Sequence, residues 1–285
     1  MSLPTEFPWL WIESENMSAI ENMDYDRRFS GTARLYGGSA LRRFAAAHVC
    51  VVGIGGVGSW AAEALARSAV GTITLIDLDH IAESNINRQI HALDSQLGRS
   101  KAEAMGERIH AINPACRVIP VDAFVEDENL QVLIHDDFDY VVDCIDSYRT
   151  KAALIAHCRR RKIRLVTVGG AGGQRNPLNI RIADLSRSEQ DPLLSKTRKL
   201  LRREYNFPRN PRRRFDLPCV YSIEQQRPPA TGAGNCGIEP DGASVSGLNC
   251  AGFGSSMAVT ASFGLAAVAY LLDKLATVED ESCQG

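Results

Sequence analysis

Short apolar runs alternate with longer amphipathic stretches along most of the chain. The short runs are rich in Val and Ile and predict strands, whereas apolar residues spaced three and four positions apart predict helices. The predicted strands are 48–52, 72–77, 117–121, 140–145 and 164–168, and the helices between them are 57–68, 99–112, 129–134 and 150–161. Strands separated by helices indicate an α/β fold with a mainly parallel sheet covered by helices on both faces.

The regular alternation ends after a glycine-rich stretch at 169–173. Residues 180–185 predict one more strand, and Asp191 followed by Pro192 predicts the start of a basic helix. We interpret residues 208–247, which are rich in proline, glycine and arginine, as a long loop within a basic region at about 195–247. An apolar helix is predicted at 254–272. We interpret residues 1–24 as a flexible polar extension and residues 25–285 as a single domain.

The composition is that of an ordinary soluble globular protein, with 45% hydrophobic residues, 23% charged residues and a net charge of −2. The eight cysteines contain no C-x-x-C pair, so we predict neither a zinc site nor disulfides, and favour a cytoplasmic location. Three cysteines in or beside the predicted loop lack a neighbouring pattern that would activate a thiolate: Cys219, Cys236 and Cys250. The uncharged residues 251–272 are long enough to span a bilayer. We favour a buried core helix there, with membrane association through this helix as the alternative.

A glycine-rich turn links the first predicted strand to the first predicted helix. In this turn Gly53 permits a tight bend, Gly55 and Gly56 let phosphate oxygens approach the backbone amides, and Gly58 allows close packing of the helix. The N-terminus of the helix attracts anions, and Asp77 at the end of the second strand can bind ribose hydroxyls. The pattern predicts a Rossmann-like nucleotide site, which fits a nicotinamide dehydrogenase as well as an enzyme that uses ATP.

Polar residues beyond Asp77 favour ATP. Asn85 and Arg88 lie in a Ser-Asn-Ile-Asn-Arg-Gln segment, and Lys101 starts a helix that Ser100 can cap. An enzyme that splits ATP must stabilise charge on the departing pyrophosphate, a task suited to Arg and Lys, whereas hydride transfer makes no such demand. We therefore predict that Asn85 lies near the α-phosphate or ribose and that Arg88 and Lys101 bind the phosphates. Taken singly, each could be an ordinary turn or surface residue.

Two carboxylates lie at the end of the fourth predicted strand. We expect Asp146 to hold Mg²⁺ through oxygen and Asp143 to bond loop amides, although Asp146 alone could also be a helix N-cap. The second glycine-rich turn, 169–173, either approaches an acyl substrate or is a flexible connection.

The basic region has nine Lys or Arg residues between 196 and 214 against one acidic residue, Glu204. Such a concentration fits an RNA backbone, and a solvated helix face is the alternative. The candidate RNA contacts are Arg202, Arg203, Arg212, Arg213 and Arg214.

These motifs resemble the ubiquitin-activating, ThiF/MoeB-like adenylating superfamily. The resemblance rests on the glycine turn, Asp77-Leu78-Asp79, the segment 84–89, Lys101 and Asp143-Cys144-x-Asp146. The segments 87–92, 151–156, 169–174 and 252–254 are similar to its tRNA threonylcarbamoyladenosine dehydratase branch.

The resemblance implies ATP-dependent adenylation of a carboxylate and cyclisation of threonylcarbamoyladenosine in tRNA with loss of water. It also implies Mg²⁺, a monovalent cation, a homodimer and partnership with a cysteine desulfurase system. An activator of a small sulfur-carrier protein and a non-catalytic, nucleotide-gated RNA-binding scaffold are the alternatives. The absence of paired C-x-x-C motifs argues against the first of these. Many relatives carry an arginine at the position of Gly31, for which Arg28 or Arg34 would have to substitute.

Overall fold

The computed structural model describes residues 23–228 and 253–277, and residues 1–22 of the extension predicted at 1–24 lie outside this part of the chain. The described residues form the predicted α/β fold around one seven-stranded sheet. The strands are β1 His48–Val52, β2 Thr72–Ile76, β3 Arg117–Val121, β4 Tyr140–Asp143, β5 Leu165–Val168, β6 Ile180–Asp184 and β7 Pro218–Ser222. The helices are α1 Tyr25–Tyr36, α2 Gly38–Ala46, α3 Gly58–Arg67, α4 Lys101–Ile112, α5 Leu130–Leu133, α6 Tyr148–Arg161, α7 Pro192–Glu204 and α8 Met257–Ala276.

The strands lie in the order β3-β2-β1-β4-β5-β7-β6. All neighbouring pairs are parallel except β7 and β6, which are antiparallel. The chain runs from β1 outward to β3 and then returns to the other side of β1 with β4. The crevice between β1 and β4 is therefore the point where the strand order reverses, at which open α/β sheets bind ligands.

Both faces of the sheet are buried, as the continuous apolar runs predict. On β1, Val49 and Val51 pack with α3, α4 and α8, whereas Cys50 and Val52 pack on the other face with α6 and α7. Successive side chains of a strand point to opposite faces, so a run such as His-Val-Cys-Val-Val supplies both cores at once.

The prediction of one loop from 208 to 247 is wrong at residues 218–222, which form β7 between β5 and β6. Prolines and arginines on either side hid a five-residue run, Pro-Cys-Val-Tyr-Ser, whose last four residues are buried. The predicted basic region also includes the C-terminal part of α7, a regular helix that begins at Pro192 with Asp191 as its N-cap, as predicted. Residues 229–247 of the predicted loop lie outside the described part of the chain.

Helix α8 is a core helix. It packs on α2, α3 and the sheet and buries apolar side chains along one face. Among the described residues it is the helix that is long and apolar enough to cross a membrane, but 56% of its most apolar stretch is buried inside the molecule. Its close approach to α3 depends on Gly264, where a Cβ would lie 2.5 Å from the carbonyl oxygen of Val57.

Candidate active site

A cleft of about 1060 Å³ opens at the carboxyl ends of the parallel strands, over the β1–β4 crevice. Nearly all the residues predicted to bind nucleotide or metal line it: Gly53, Gly55, Gly56, Asp77, Asn85, Arg88, Lys101 and Asp146. Gly58 lies behind them at the start of α3. The arginines predicted to bind RNA do not line the cleft, so the structure separates the two groups of candidates.

The glycine turn has the geometry that the sequence predicts. Gly53 has a φ of +87°, and its amide donates to Ile76 O at 2.9 Å. A Cβ at Gly58 would lie 1.8 Å from Gly53 O, so no side chain fits there. A Cβ at Gly55 would have only Gln89 Nε2 within 4 Å, at 3.9 Å. This part of the turn is therefore open to the cleft.

Asp77 braces the glycine turn. Its carboxylate accepts hydrogen bonds from the amides of Ile54 at 2.5 Å and Asp79 at 2.8 Å. Burial raises the pKa of Asp77, and these amide bonds and the charge of Lys101 oppose that rise. The side chain is 8% exposed and lines the cleft, so its predicted contact with ribose stays a prediction beside this structural role.

Arg88 lies over the glycine turn. Its Nη1 donates to Ser84 O at 2.8 Å and to Asn87 Oδ1 at 2.9 Å. The side chain packs on Gly56, where a hypothetical Cβ would lie 3.2 Å from both Cγ and Cδ of Arg88. The main chain is held separately, because Trp60 Nε1 donates to Arg88 O at 2.8 Å. Both the main chain and one edge of the guanidinium are therefore fixed beside the turn that would bind phosphate.

Lys101 is almost fully buried at the first position of α4, with Ser100 as the predicted cap. Its Nζ donates to Asp79 Oδ2 at 2.7 Å, and the Asp79 side chain is 55% exposed. The sequence pattern predicts no role for Asp79. The neighbouring Asn85 is a structural part of its turn, because its Oδ1 accepts from Ala82 N at 3.2 Å.

Asp146 is exposed at the rim of the cleft, on the loop that follows β4. Asp143 Oδ1 accepts from Ile145 N at 3.1 Å, as predicted for a loop-bonding residue. Its Oδ2 forms an ion pair with Lys151 Nζ at 2.8 Å and accepts from Thr167 Oγ1 at 2.6 Å. Lys151 and Asp143 have no exposed side-chain surface. This fully buried network holds the base of the loop that carries Asp146.

Lys151 has no role predicted above, although the sequence contains one indication of it. A lysine within an otherwise apolar helical run, Lys-Ala-Ala-Leu-Ile-Ala, indicates a buried charge that needs a partner. The partner itself could not be deduced, because it lies on a strand that only the fold brings near.

The second glycine-rich turn also borders the cleft, through Gly169, Ala171 and Gly172. Asp191, the N-cap of α7, accepts from Gly170 N at 2.9 Å. Burial raises the pKa of Asp191, and the amides bonded to its carboxylate oppose the rise. A Cβ at Gly169 would lie 2.0 Å from Asp191 Oδ2, so no side chain fits there and the turn packs closely against the N-terminus of α7.

The segment before α8 completes the cleft, which sequence reasoning did not foresee. Phe253, Gly254 and Ser255 line it together with Thr260 of α8. Gly173 N donates to Gly254 O at 2.7 Å, which ties this segment to the second glycine-rich turn.

The described cysteines are free and unsuited to nucleophilic chemistry. Burial raises the pKa of Cys219 well above its ordinary value and that of Cys144, at the cleft wall, to about 12. Such thiols stay protonated near neutral pH. Cys236 and Cys250 lie outside the described residues.

The predicted RNA-binding arginines lie near the opposite end of the sheet. Arg202 stacks on the Phe215 ring at 5.1 Å, and Arg203 forms an ion pair with Glu204 at 2.6 Å. The three consecutive arginines Arg212, Arg213 and Arg214 are exposed. Their side chains have no hydrogen-bond or ion-pair partner in the part of the chain that the structure describes.

The position of Gly31 is exposed on α1, with no atom within 4 Å of a Cβ placed there. Arg28 Nη1 donates to Ile112 O at 2.6 Å, and neither Arg28 nor Arg34 lines the cleft of its own chain. Their substitution for the expected arginine stays a prediction.

The cleft therefore combines an open glycine turn, two fixed cations and an exposed carboxylate. Anions bind where backbone amides and cationic side chains converge, and a carboxylate facing them suits a hydrated divalent cation between phosphates and protein. Among known sequences, the profile of the ThiF family matches residues 25–281. The chain belongs to the ThiF family.

Within the ThiF family, the chain is 48% identical over 261 residues to the tRNA threonylcarbamoyladenosine dehydratase of Haemophilus influenzae, covering 91% of this chain and 96% of that protein. Among solved structures, the E. coli tRNA N6-threonylcarbamoyladenosine dehydratase in complex with ATP is 48% identical, with a TM-score of 0.79. The alignment covers 89% of this chain and 96% of that one. The E. coli enzyme in complex with AMP gives the same values.

Proposed function

We propose that this protein is an ATP-dependent dehydratase that cyclises threonylcarbamoyladenosine in tRNA through an acyl-adenylate. The observation that carries the proposal is the convergence of Arg88, Lys101 and the glycine turn on one side of the cleft with Asp146 at its rim. Similarity over about nine tenths of the chain to dehydratases, including structures with ATP and with AMP, supports the choice of substrate.

The chemistry needs two steps. One oxygen of the threonylcarbamoyl carboxylate attacks the α-phosphorus of ATP, and pyrophosphate leaves with the bridging oxygen. The carbamoyl group of the same nucleoside then attacks the activated carbonyl, closes the ring and releases AMP, which keeps the carboxylate oxygen. The elements of water are thereby removed from the nucleoside. Because the second attack is intramolecular, it gains about 7–11 kcal/mol from proximity, and no cysteine is needed.

The residues divide this work. The amides of the glycine turn and the N-terminus of α3 bind phosphate, while Arg88 and Lys101 stabilise the charge that develops on the departing pyrophosphate. The described residues contain no cluster of three or more His, Cys, Asp or Glu that could hold a metal alone. Asp146, an exposed carboxylate at the rim, fits Mg²⁺, which is commonly bound by one or two carboxylates together with substrate phosphates. Bound there, Mg²⁺ would neutralise phosphate charge.

Binding of tRNA is assigned to a surface that we name the basic rim. It comprises the exposed cations Arg160, Lys162, Lys199, Arg209, Arg212, Arg213 and Arg214, none of which has a side-chain ion pair within the described residues. An aromatic pair, Phe207 and Phe215, anchors the loop that presents Arg212–Arg214, because Arg159 and Arg202 stack on the two rings. Unpaired cations held in this way suit an RNA backbone.

The proposal includes a homodimer and a cytoplasmic location. The dimer is supported by apolar side chains that are exposed on α8 and on two elements that contact it. These are Met257 and Leu265 on α8, Ile182 on β6, and Leu178 in the turn at 177–179. The location is supported by the unpaired thiols among the described cysteines. A monovalent cation and a cysteine desulfurase partner stay predictions from the family resemblance.

The test is mass spectrometry of nucleosides from tRNA that carries threonylcarbamoyladenosine, after incubation with the protein, ATP and Mg²⁺. We expect the modified nucleoside to lose the mass of one water and AMP to accumulate in equal amount. Arg88→Ala is expected to abolish both while the fold is kept. Glu83→Ala is the matched control, since Glu83 is exposed in the same turn and its side chain has no partner among the described residues. An unchanged nucleoside with wild-type protein would contradict the proposal.

A further inference from the structure

The side-chain amide of Asn87 forms hydrogen bonds within the cleft through both its oxygen and its nitrogen. Its Oδ1 accepts from Arg88 Nη1 at 2.9 Å. Its Nδ2 donates to Ser255 O at 3.2 Å and approaches Ser255 Oγ at 3.4 Å. The side chain therefore connects the phosphate-side arginine to the segment before α8, which is far away in sequence but borders the same cleft.

The bond to Asn87 fixes one edge of the Arg88 guanidinium. Nη1 has two acceptors, Asn87 Oδ1 and Ser84 O, while the carbon stem rests against Gly56. Nε and Nη2 of Arg88 have no hydrogen-bond or ion-pair partner among the described residues. A guanidinium held by one edge presents its remaining donors in a fixed plane, and such preorganisation is how an enzyme stabilises charge in a transition state without reordering.

The other end of Asn87 reaches the second glycine-rich turn. Ser255 follows Gly254, whose carbonyl accepts from Gly173 N at 2.7 Å. Through these contacts the arginine, the segment before α8 and the second glycine-rich turn are parts of one hydrogen-bonded network.

We infer that Asn87 is a positioning residue for adenylation, which holds Arg88 in the orientation that stabilises the departing pyrophosphate. It is not a catalytic residue, because it acts through Arg88. The inference rests on the proposed function, since it assumes that Arg88 acts on ATP.

The experiment measures AMP formation with radiolabelled ATP and tRNA that carries threonylcarbamoyladenosine. Loss of one hydrogen bond to a charged group predicts that Asn87→Ala lowers kcat by about tenfold. The KM for ATP should change much less, because the glycine turn and Lys101 are intact. Asn87→Asp keeps an acceptor for Arg88 but adds a negative charge beside the phosphates, so it should raise the KM. Glu83→Ala should match wild type. Urea unfolding of each variant checks that the fold is unchanged.

A double-mutant cycle separates positioning from a general structural effect. In an Arg88→Lys background the bond between Asn87 and the guanidinium is already absent. In that background Asn87→Ala should lower kcat by less than about twofold, which is the error within which the effects of mutations at independent sites add. An equal loss in both backgrounds, or no loss in the wild-type background, would overturn the inference while leaving the proposed function in place. Wild-type protein that forms no AMP would overturn the proposed function, and the inference with it.

Discussion

The side chains of the cleft reach their positions through partners that are themselves buried or bonded. Lys101 is held by Asp79, and Arg88 by Asn87 and Ser84 O. The loop that carries Asp146 is held at its base by the buried ion pair of Lys151 and Asp143. Breaking such a pair from one side leaves an uncompensated buried charge, a loss of about 3–5 kcal/mol in proteins generally. The order of the site therefore depends on these partners as well as on the residues predicted to bind ATP.

His91 provides a pH-dependent test at the residue scale. It is 2% exposed, and neither ring nitrogen has a hydrogen-bond partner among the described residues. Burial, aided by the charges of Lys101 and Arg108, lowers the pKa of His91 to about 4. The unfolded chain binds this proton at its ordinary pKa of about 6.5, whereas the folded protein resists it. The neutral ring thus contributes stability above pH 6.5, and this contribution is lost as pH falls from about 6.5 towards 4.

We predict that wild-type protein loses about 3 kcal/mol of unfolding free energy through His91 over this pH range. His91→Phe removes the titrating group and should lose correspondingly less between pH 6.5 and 4. Urea unfolding at several pH values measures both. Parallel stability curves for the two proteins would show that His91 is not the group responsible.

At the scale of elements, local pattern was sufficient for most of the sheet. β1 and β3 have the predicted bounds, and β2, β4 and β5 differ from prediction by one or two terminal residues. Their apolar runs are continuous because both faces of the sheet are buried. β7 was missed because its flanking prolines and arginines are typical of loops. The position of α8 beside the glycine turn was not predictable either, since it depends on a contact between residues about two hundred positions apart, Gly264 and Val57.

The residues of the candidate site also fall into two groups, those indicated by the local sequence and those that depend on tertiary contacts. Turn chemistry and charge indicated the glycines, Arg88, Lys101 and Asp146, which lie in the turns and loops after strands or at the start of a helix. Asn87, Asp79 and Lys151 act through tertiary contacts. Spacing along the chain carries no information about such contacts.

Gly264 tests the contact between α8 and α3. A Cβ there would lie 2.5 Å from Val57 O and 2.9 Å from Ala61 N, both main-chain atoms that cannot rotate away. We expect Gly264→Ala to destabilise the protein by about 1–3 kcal/mol and to weaken ATP binding, because α8 must move off the glycine turn. Denaturant unfolding and ATP titration measure the two effects.

Gly106→Ala in α4 is the matched control. Its Cβ would meet only Val118 Cγ1 at 3.4 Å, so it should raise stability by about 0.5–1 kcal/mol, as expected for alanine in a helix. If both variants were equally stable, the close packing of α8 would not matter energetically.

At the scale of the whole molecule, the cleft and the basic rim lie at opposite ends of the sheet. Helix α6 begins just after Asp146 and ends at Arg161, beside the basic rim. Its 14 residues span about 21 Å. An RNA whose modified nucleoside occupies the cleft would therefore extend along α6 and α7 to reach the basic rim. The proposed contacts with the RNA backbone are therefore separate from the proposed site of the chemistry on ATP.

This separation predicts distinct effects on the two ligands. Charge reversal of Arg212, Arg213 and Arg214 to Glu should weaken tRNA binding and lower the slope of log Kd against log salt by about two to three. The affinity for ATP should stay unchanged. Reversal of three exposed arginines elsewhere, Arg27, Arg42 and Arg117, is the control for net charge. A salt titration in which both triple variants behave alike would show that the basic rim has no specific role.

In the proposed mechanism the cleft activates a carboxylate by transferring AMP to it. The most direct measurement uses tRNA whose threonylcarbamoyl carboxylate is labelled with ¹⁸O at both oxygens. After one turnover with ATP, we predict one ¹⁸O atom in the phosphate of AMP and the other in the cyclised nucleoside. Label in inorganic phosphate together with ADP, or AMP without label, would contradict the acyl-adenylate mechanism.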